Sequence, residues 1–355
     1  MHFKKALVLS SLILIIFLFQ QCSKKDAPAA SDAVFLQPTL PATPFNYINT
    51  YPAFIQASLN VNDNTPADNA ITNDGATLGR VLFYDKHLSK NNTISCGSCH
   101  KPETSFSDNA ILSKGFNNGL TARHSMSLLN VRFYKSGKMF WDERAATLEK
   151  QVLQPIQNTV EMGLTLTELQ DKVKALSYYP ALFQKAFGST QIDSVKIAKA
   201  VAQFLRSIVT FQSKYDQVKQ GLASFTADEA AGEQLFLALP PGGGAACAGC
   251  HAPPMFITSQ PVAPFAFPDP TDAGINNQNR FKSGSLRNIA LTAPYFHNGK
   301  VPSLDAMLNG GPVGAPTHVP AHSVAPQDAP KLLAFLQTLT DNSVSADAKF
   351  LDPFK

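Results

Sequence analysis

Two pentapeptides of the form Cys-x-x-Cys-His carry the most specific chemistry in this sequence, at residues 96–100 and 247–251. This pattern is the attachment signature of c-type haem: two thiols form thioether bonds to the haem and the histidine ligates the iron. One copy alone could instead be half of a zinc site. Two copies, which use four of the five cysteines, predict two covalently attached haem c groups. The predicted haem-binding residues are Cys96, Cys99, His100, Cys247, Cys250 and His251, with His100 and His251 on iron.

Residues 1–22 have the composition of an export signal. Two lysines precede an apolar segment over residues 6–19, which has secretory length and is short for a membrane span. Cys22 follows where a lipoprotein signal peptide is cleaved, so its thiol would carry a lipid. The two glutamines before it differ from the small residues usual there, and a plain signal peptide or an uncleaved anchor is the alternative. We expect a periplasmic protein, attached to a membrane through Cys22 and free of disulfides.

The composition indicates a folded chain and excludes some partners. Of the 355 residues, 44% are hydrophobic and 16% are charged, which is typical of globular and not of disordered proteins. The formal charge of +4 includes two lysines of the leader, and the propionates of two haems would bring the loaded protein close to neutral. Because no basic stripe is present, we predict no nucleic-acid partner.

Apolar periodicity predicts an all-α protein with two cytochrome c-like haem domains packed against each other. Capping boxes begin helices after Thr165 and Thr226, and Asp193 begins a longer helix. The helix after Thr226 is expected to pass Leu237 and run into Cys247. No alternating pattern is long enough for a sheet core. The longer helix has one apolar face, which is expected to be core: Ile197, Val201, Phe204, Leu205, Ile208 and Phe211.

These elements divide the chain into four segments. Residues 1–22 are the lipoprotein-type signal peptide, and the Ala/Pro/Ser-rich residues 23–45 are a flexible tether. An N-terminal haem domain covers residues 46–218 and a C-terminal haem domain covers residues 219–345. The domain boundary is therefore predicted within 215–225.

Five stretches, in order and spacing, resemble the bacterial dihaem cytochrome c peroxidase family, which also includes the methylamine-utilisation dihaem enzymes. The resemblance extends from about residue 75 to residue 340 and is more specific than the haem motifs alone. It implies that the N-terminal haem is peroxidatic and that the C-terminal haem accepts electrons. The stretches are LGRVLFYD (78–85), ISCGSCH (94–100), FWD (140–142) followed by Arg144-Ala145, Pro155-Ile156 with VEMG (160–163), and LRNIALTAPYFH (286–297).

The resemblance assigns catalytic tasks to Glu161 and Trp141. Glu161 corresponds to the carboxylate that manages the protons of peroxide, and a positioned glutamate can move a proton between two oxygens. Without the family context, a solvated glutamate at a helix start would be the simpler interpretation. Trp141 is the only tryptophan, and it corresponds to a residue that relays electrons between the haems. Ordinary core packing is its alternative.

The distal side of the first haem departs from the family pattern. Many members carry a histidine that must detach before peroxide binds, and Phe116 stands at that position here. His124 and Met126 are the nearest alternative ligands. His124 also falls where relatives have an asparagine that binds calcium between the haems, and histidine is a poor calcium ligand. A calcium ion is thus doubtful, and we predict a first haem that is five-coordinate or water-ligated even when fully oxidised.

The sixth ligand of the second haem is left open between three residues and the absence of any protein ligand. Relatives have a methionine or a tyrosine in the segment after the Pro-Tyr-Phe-His sequence. Met307 is the soft ligand in this region, and a thioether raises the iron potential, which suits an electron-accepting haem. His318 and His322 in the following loop are rivals. Ordinary core filling is the alternative role of Met307.

The resemblance implies a peroxidase that reduces hydrogen peroxide to water. Its electrons would come from a small periplasmic donor, either a cytochrome c or a copper protein. One alternative is a dihaem enzyme that oxidises a protein residue or a small molecule, as in methylamine utilisation, and an open first haem opposite Phe116 favours it. A dihaem electron carrier without enzyme activity is the second alternative. A homodimer is compatible with the sequence and is not specified by it.

Overall fold

The computed structural model describes residues 36–238, 245, 247–257, 272–278, 280–309 and 324–355. The leader, Cys22, His318 and His322 lie outside these residues. The described residues form α-helices, short 3-10 turns and isolated bridges, with no longer strand among them, so the predicted all-α class is confirmed. In this part of the chain, no helix has the length and apolar character needed to cross a membrane.

Twelve α-helices are formed by the described residues. In chain order they are α1 (Gln56–Asn62), α2 (Asn73–Tyr84), α3 (Cys96–Cys99), α4 (Leu148–Gln157), α5 (Leu166–Ala175), α6 (Tyr179–Phe187), α7 (Ser194–Ser207), α8 (Lys214–Lys219), α9 (Ala227–Leu237), α10 (Leu304–Leu308), α11 (Ala329–Gln337) and α12 (Ser343–Ala346).

Side-chain caps fix where the main helices begin. Thr165 and Thr226 each form the predicted capping box, in which the threonine accepts an N–H and a glutamate three residues later bonds back. The Asp193 carboxylate accepts the Lys196 N–H at 2.8 Å and so begins α7. These helix starts are confirmed. The helix after Thr226 is shorter than predicted, because it ends at Leu237 and does not continue into Cys247.

The first hydrophobic core is built where α2 crosses α7. A Cβ atom at Gly79 would lie 2.0 Å from the Ala200 carbonyl oxygen, so only glycine allows the two backbones to approach this closely. The predicted apolar face is buried along its whole length, which confirms it as core, but Ile208 and Phe211 lie beyond α7, which ends at Ser207. The haem motif at α3 follows α2 in the chain and packs against its end, since the space beside Gly97 is filled by the Tyr84 ring.

A second core repeats this construction. The α9 helix precedes the second haem motif and crosses the closing helix α11, where a Cβ at Gly232 would lie 2.1 Å from the Lys331 carbonyl oxygen. The core members change from the first to the second cluster between Phe211 and Tyr215. Each haem motif therefore comes in the chain after a helix that takes part in such a crossing. The domain boundary at 218/219 stays a prediction.

The C-terminal segment returns to the first core. Phe350 is buried there, and the backbone carbonyls of residues 349–353 accept bonds from Tyr47, Tyr84 and Thr39. Leu40 and Phe45 also pack against this core. The predicted tether over 23–45 is therefore too long at its end, because residues near 39–45 are held by the C-terminal segment and by apolar contacts.

Candidate functional site

A cavity lies against α3 and contains the first haem motif. It encloses about 650 Å³ of space between atoms, counting its open mouth. Phe83 from α2, Val152 from α4 and Val201 from α7 provide apolar walls, and Cys96, Cys99 and His100 lie on one side. An apolar slot with two thiols and an imidazole on one side suits a covalently held haem.

The His100 imidazole is oriented for metal ligation. Its Nδ1 lies 2.9 Å from the Phe106 carbonyl oxygen, and because a carbonyl only accepts, Nδ1 must carry the proton. The lone pair is then on Nε2, as in most metal-bound histidines. Burial lowers the pKa of His100, although the Phe106 carbonyl opposes this. The ring is therefore kept neutral, which is the form that ligates iron.

The thiols of the first motif also fit the cofactor. Burial raises the pKa of Cys96 to about 12 and that of Cys99 to about 11. Both thiols are thus neutral and unreactive as they stand, and neither forms a disulfide. Ser95 holds the start of α3, since its N–H donates to the Ser98 hydroxyl oxygen at 3.0 Å. The chain presents two closely spaced thiols to one apolar cavity, which is what thioether attachment requires.

Glu161 lines the same cavity as His100. It lies in the turn after α4, where its N–H donates to the Asn158 side chain at 3.2 Å and its carbonyl accepts the Phe116 N–H at 2.9 Å. Burial raises the pKa of the Glu161 carboxyl, and Arg144 opposes the shift. A carboxyl group with a raised pKa in a cleft is typical of general acid-base sites. The structure thus brings the predicted catalytic glutamate to the predicted iron ligand.

The alternative distal ligands do not line this cavity. His124 is buried elsewhere, with Nδ1 at 3.1 Å from the Ala110 carbonyl and Nε2 at 3.3 Å from the Ser107 hydroxyl. Met126 is also absent from the cavity wall, and Phe116 packs against Gly163 behind the Glu161 turn. The interpretation of His124 or Met126 as a distal ligand is therefore not supported, because both side chains are placed outside the pocket.

The structure shows no side-chain ligands for the predicted calcium ion among the described residues. The Nδ1 atom of His124 faces backbone carbonyls, so the ring is already used in packing. Within the described ranges, no three side chains among histidine, cysteine, aspartate and glutamate are grouped to hold a metal ion. Calcium stays a prediction that depends on backbone carbonyls.

Trp141 lies where the two halves of the chain meet. Its indole N–H donates to the His124 carbonyl at 2.8 Å, and its own carbonyl accepts the Lys282 N–H at 2.7 Å. The indole ring is 6.4 Å from the His297 ring, at an angle of 70°. The tryptophan is therefore bonded to segments of both halves, as a relay residue would need to be.

The second haem motif lies beside the second core. Cys247 packs against this cluster, and burial raises its pKa to about 11. The Ser283 hydroxyl lies 3.4 Å from each ring nitrogen of His251. Met307, on α10, is half-buried against the same cluster. Its role as a sixth ligand stays a prediction.

Two contacts of the haem histidines were missed from the sequence. The Phe106 carbonyl and the Ser283 hydroxyl belong to residue types that occur everywhere, and a backbone acceptor leaves no residue signature at all. The one available signal was the loop after the haem motif. Because this loop must turn back over the histidine, it could have indicated a hydrogen-bond partner for the imidazole.

Comparisons with known proteins show relatives over most of the chain. Residues 73–224 match the family model described as di-haem cytochrome c peroxidase, and residues 282–312 match a RoxA-like, cytochrome c-like model. Cytochrome c551 peroxidase of Nitrosomonas europaea is 32% identical, with 79% of this chain and 84% of the relative covered. Methylamine utilization protein MauG of Methylorubrum extorquens is also 32% identical, with 69% of this chain and 70% of the relative covered.

A solved structure shows a similar fold. A MauG-like protein associated with microbial copper homeostasis superposes with a TM-score of 0.74 and 30% identity, over 86% of this chain and 99% of that one.

Proposed function

Because this chain belongs to the di-haem cytochrome c peroxidase family, we propose that it reduces hydrogen peroxide to water. The electrons would come from a small redox protein, a cytochrome c or a copper protein. One observation carries the proposal beyond family membership: the cavity that contains Cys96, Cys99 and His100 also contains Glu161. A carrier of electrons needs no acid-base group at its haem, whereas peroxide cleavage does.

Glu161 is the group that handles protons. The haem supplies a redox-active iron in the cavity when it is bound. The Glu161 carboxylate takes the proton from one peroxide oxygen and returns it to the other, so that the departing oxygen leaves as water. Two electrons and two protons convert one peroxide to two water molecules. The apolar walls of the cavity keep bulk water from competing for the carboxylate.

The second haem motif is the proposed entry point for electrons. Trp141 supports this division because it is bonded to the His124 segment on one side and to Lys282 on the other. Met307 is proposed as the sixth ligand of the second haem, and its position against the second core is compatible with this role.

A second candidate function is the oxidation of a protein residue or a small molecule. Similarity to two MauG proteins at 29% and 32% identity favours it. Phe116 also favours it, since no detachable histidine stands at that position. The two functions differ in what is consumed: the peroxidase oxidises a donor protein repeatedly, and the oxidative enzyme leaves a changed product.

We further propose export to the periplasm, with the chain anchored through a lipid on Cys22. The composition of residues 1–22 supports export, and covalent haem attachment takes place outside the cytoplasm. Replacing Cys22 by serine is expected to release the protein from the membrane fraction. If the variant stays there, the lipid anchor is wrong.

Donor oxidation tests the main proposal. Peroxide is mixed with reduced cytochrome c or a reduced copper protein, and wild type is compared with Glu161→Gln. The variant is expected to lose turnover by a factor of about 10² to 10⁴, the usual contribution of a general acid-base group. Glu103→Gln, an exposed glutamate near the haem motif, is the matched control and is expected to turn over normally. Equal rates in all three proteins would contradict the role of Glu161.

Two further readouts separate the alternatives. Peroxide-dependent mass changes in a protein or small molecule, without steady donor oxidation, would favour the oxidative enzyme. No reaction with peroxide at all would leave an electron carrier. The fully oxidised protein is expected to show high-spin ferric haem, and a spectrum with only low-spin haem would contradict the open first site.

A further inference from the structure

Lys282 is a buried cation without a carboxylate partner. Only 4% of it is exposed, and its ammonium group donates to the Lys138 carbonyl. The ammonium also lies 3.8 Å above the centre of the Tyr134 ring. Among the residues that the structure describes, no carboxylate forms an ion pair with it. The chain thus places a positive charge in its interior against a carbonyl dipole and an aromatic face, while the Glu143 carboxylate acts on it through space without forming an ion pair.

Two other buried cations are treated differently. Arg206 pairs with Glu149 at 2.5 Å, and Arg287 pairs with Asp216 at 2.8 Å. Buried charges are costly unless a counter-ion and hydrogen bonds compensate them. Burial lowers the pKa of Lys282 to about 8, so its charge is poorly stabilised as it stands. An anion in contact with the ammonium would compensate the cost of burying this charge.

The position of Lys282 indicates which anion that is. Its backbone N–H donates to the Trp141 carbonyl at 2.7 Å, and the next residue, Ser283, places its hydroxyl 3.4 Å from the His251 ring. Lys282 is therefore at the junction that carries the relay tryptophan, one residue from a contact of the second iron ligand. Arg80 also has no carboxylate in an ion pair with it among the described residues, but its Nε donates to the Leu351 carbonyl of the C-terminal segment.

We infer that Lys282 is the binding site for a carboxylate of the cofactor, a haem propionate at this junction. An ammonium and a carboxylate in an apolar setting attract strongly and neutralise each other's burial cost. The inference depends on haem attachment and not on the reaction with peroxide. Lys138 and Tyr134 then orient the ammonium, and the propionate completes its coordination.

This pairing has a consequence for electron transfer. A fixed positive charge beside a propionate favours the reduced state of the attached iron, because reduction removes one positive charge from it. Loss of Lys282 is therefore expected to lower the reduction potential of the haem whose propionate it binds. A lysine whose charge lies far from both haems would leave both potentials unchanged.

Reduction potentials of the holoprotein test the inference without peroxide. Both haems are titrated spectroelectrochemically in wild type, Lys282→Met and Lys282→Arg. The methionine variant is expected to shift one haem by at least tenfold in its reduction equilibrium, which is 59 mV for a one-electron couple. The arginine variant keeps the charge and is expected to stay near wild type. Lys135→Met removes an exposed charge next to Tyr134 in the chain and is the control.

The pattern of shifts decides the outcome. A shift confined to the haem at Cys247 and Cys250 assigns the propionate to that haem, and a shift confined to the haem at Cys96 and Cys99 assigns it to the other. Equal potentials in wild type and Lys282→Met overturn the inference. If Lys282→Met does not fold, Lys282→Gln, which is neutral but polar, takes its place in the same comparison. A failed peroxidase assay would leave this result unaffected.

Discussion

At the scale of single residues, the site depends on placing ionisable groups where water cannot solvate them. Glu161 is half-buried in the haem cavity, and only the distant charge of Arg144 offsets its desolvation. A carboxyl group in such a place holds its proton to a higher pH than usual. The raised pKa suits acid-base chemistry. It also lowers the free energy of unfolding at neutral pH, because the folded state must then carry a poorly solvated charge.

We therefore expect Glu161→Gln to be at least as stable as wild type at pH 7. The folded pKa of Glu161 lies above its usual 4.5, so its effect favours the folded state at low pH and fades as pH rises through that pKa. The stability difference between variant and wild type should shrink below pH 4.5. Urea denaturation of both proteins at pH 7 and below pH 4.5 measures this difference. A variant less stable than wild type at pH 7 would contradict this.

The sequence predicted the chemical role of a residue where a short local motif specifies that role. The two haem motifs specify thiols and histidines at fixed spacing, and Glu161 was found through the family pattern. The burial of Lys282 was not predicted, because lysines are almost always exposed and the neighbouring residues in the sequence do not indicate a buried position. Burial of one side chain depends on segments far apart in sequence, here residues near 138 and 282.

At the scale of elements, two glycines hold the turn that carries Glu161. A Cβ at Gly115 would lie 1.7 Å from the Val160 carbonyl oxygen, and Gly163 has a φ of +75° with the Phe116 ring against it. The 115–116 segment therefore lies directly on the 160–163 segment, and the Phe116 N–H bonds the Glu161 carbonyl. These contacts set the position of the carboxylate in the cavity.

Gly115→Ala is expected to displace this turn. The added methyl group meets backbone and cannot be relieved by a side-chain rotation, so the cost should be about 1–3 kcal/mol of folding free energy. Donor oxidation should fall more than stability predicts, since the carboxylate moves relative to His100. Gly284→Ala, where a Cβ meets nothing within 4 Å, is the control. Normal turnover by Gly115→Ala would show that the turn does not position Glu161.

A buried carboxylate connects α2 to α6 in a similar way. Asp85, at the end of α2, accepts the Tyr178 and Tyr179 hydroxyls at 2.8 and 2.6 Å, and it also contacts the His87 ring. Burial alone would raise the pKa of Asp85, but the bonds from His87 and Tyr179 outweigh it and hold the pKa below 3.8. The cluster thus stabilises the helix that leads into the first haem motif.

Asp85→Asn should lower stability by about 3 kcal/mol, because a buried charged acceptor with several donors is lost. The pKa is depressed in the folded state, so this stability is present above pH 3.8 and is lost as pH falls further. The difference between wild type and variant should therefore be constant at neutral pH and shrink in acid. Asp171→Asn, on the exposed side of α5, is the control. Denaturation midpoints that coincide for Asp85→Asn and wild type would refute it.

At the scale of the whole molecule, two similar helix crossings support two haem motifs with different surroundings. The starts of α5, α7 and α9 were foreseeable from their caps and from one apolar face, but the crossings themselves were not predicted. The return of residues 349–353 to the first core was not foreseeable, because it depends on backbone carbonyls that accept from Tyr47 and Tyr84. Topology of this kind is decided by contacts between distant segments and leaves no periodic pattern.

The junction between the halves is where electrons would have to pass, and Trp141 is its aromatic link. Trp141→Phe keeps a ring and loses the hydrogen bond to the His124 carbonyl, which should cost about 1 kcal/mol of stability. Electron transfer from the second haem to the first is expected to slow at least tenfold, because phenylalanine is much harder to oxidise than tryptophan. Stopped-flow reduction by the donor, followed at both haems, measures this step.

Tyr134→Phe is the control that distinguishes electron transfer through Trp141 from an effect of weaker packing at the junction. Its hydroxyl bonds the Ser283 carbonyl at 3.3 Å and the Ser285 N–H at 3.0 Å, so its loss weakens the same contact and leaves the indole in place. If Trp141 relays electrons, only Trp141→Phe slows the transfer. If both variants slow it equally, the junction acts through its geometry alone, and a wild-type rate in Trp141→Phe would remove the tryptophan from the path.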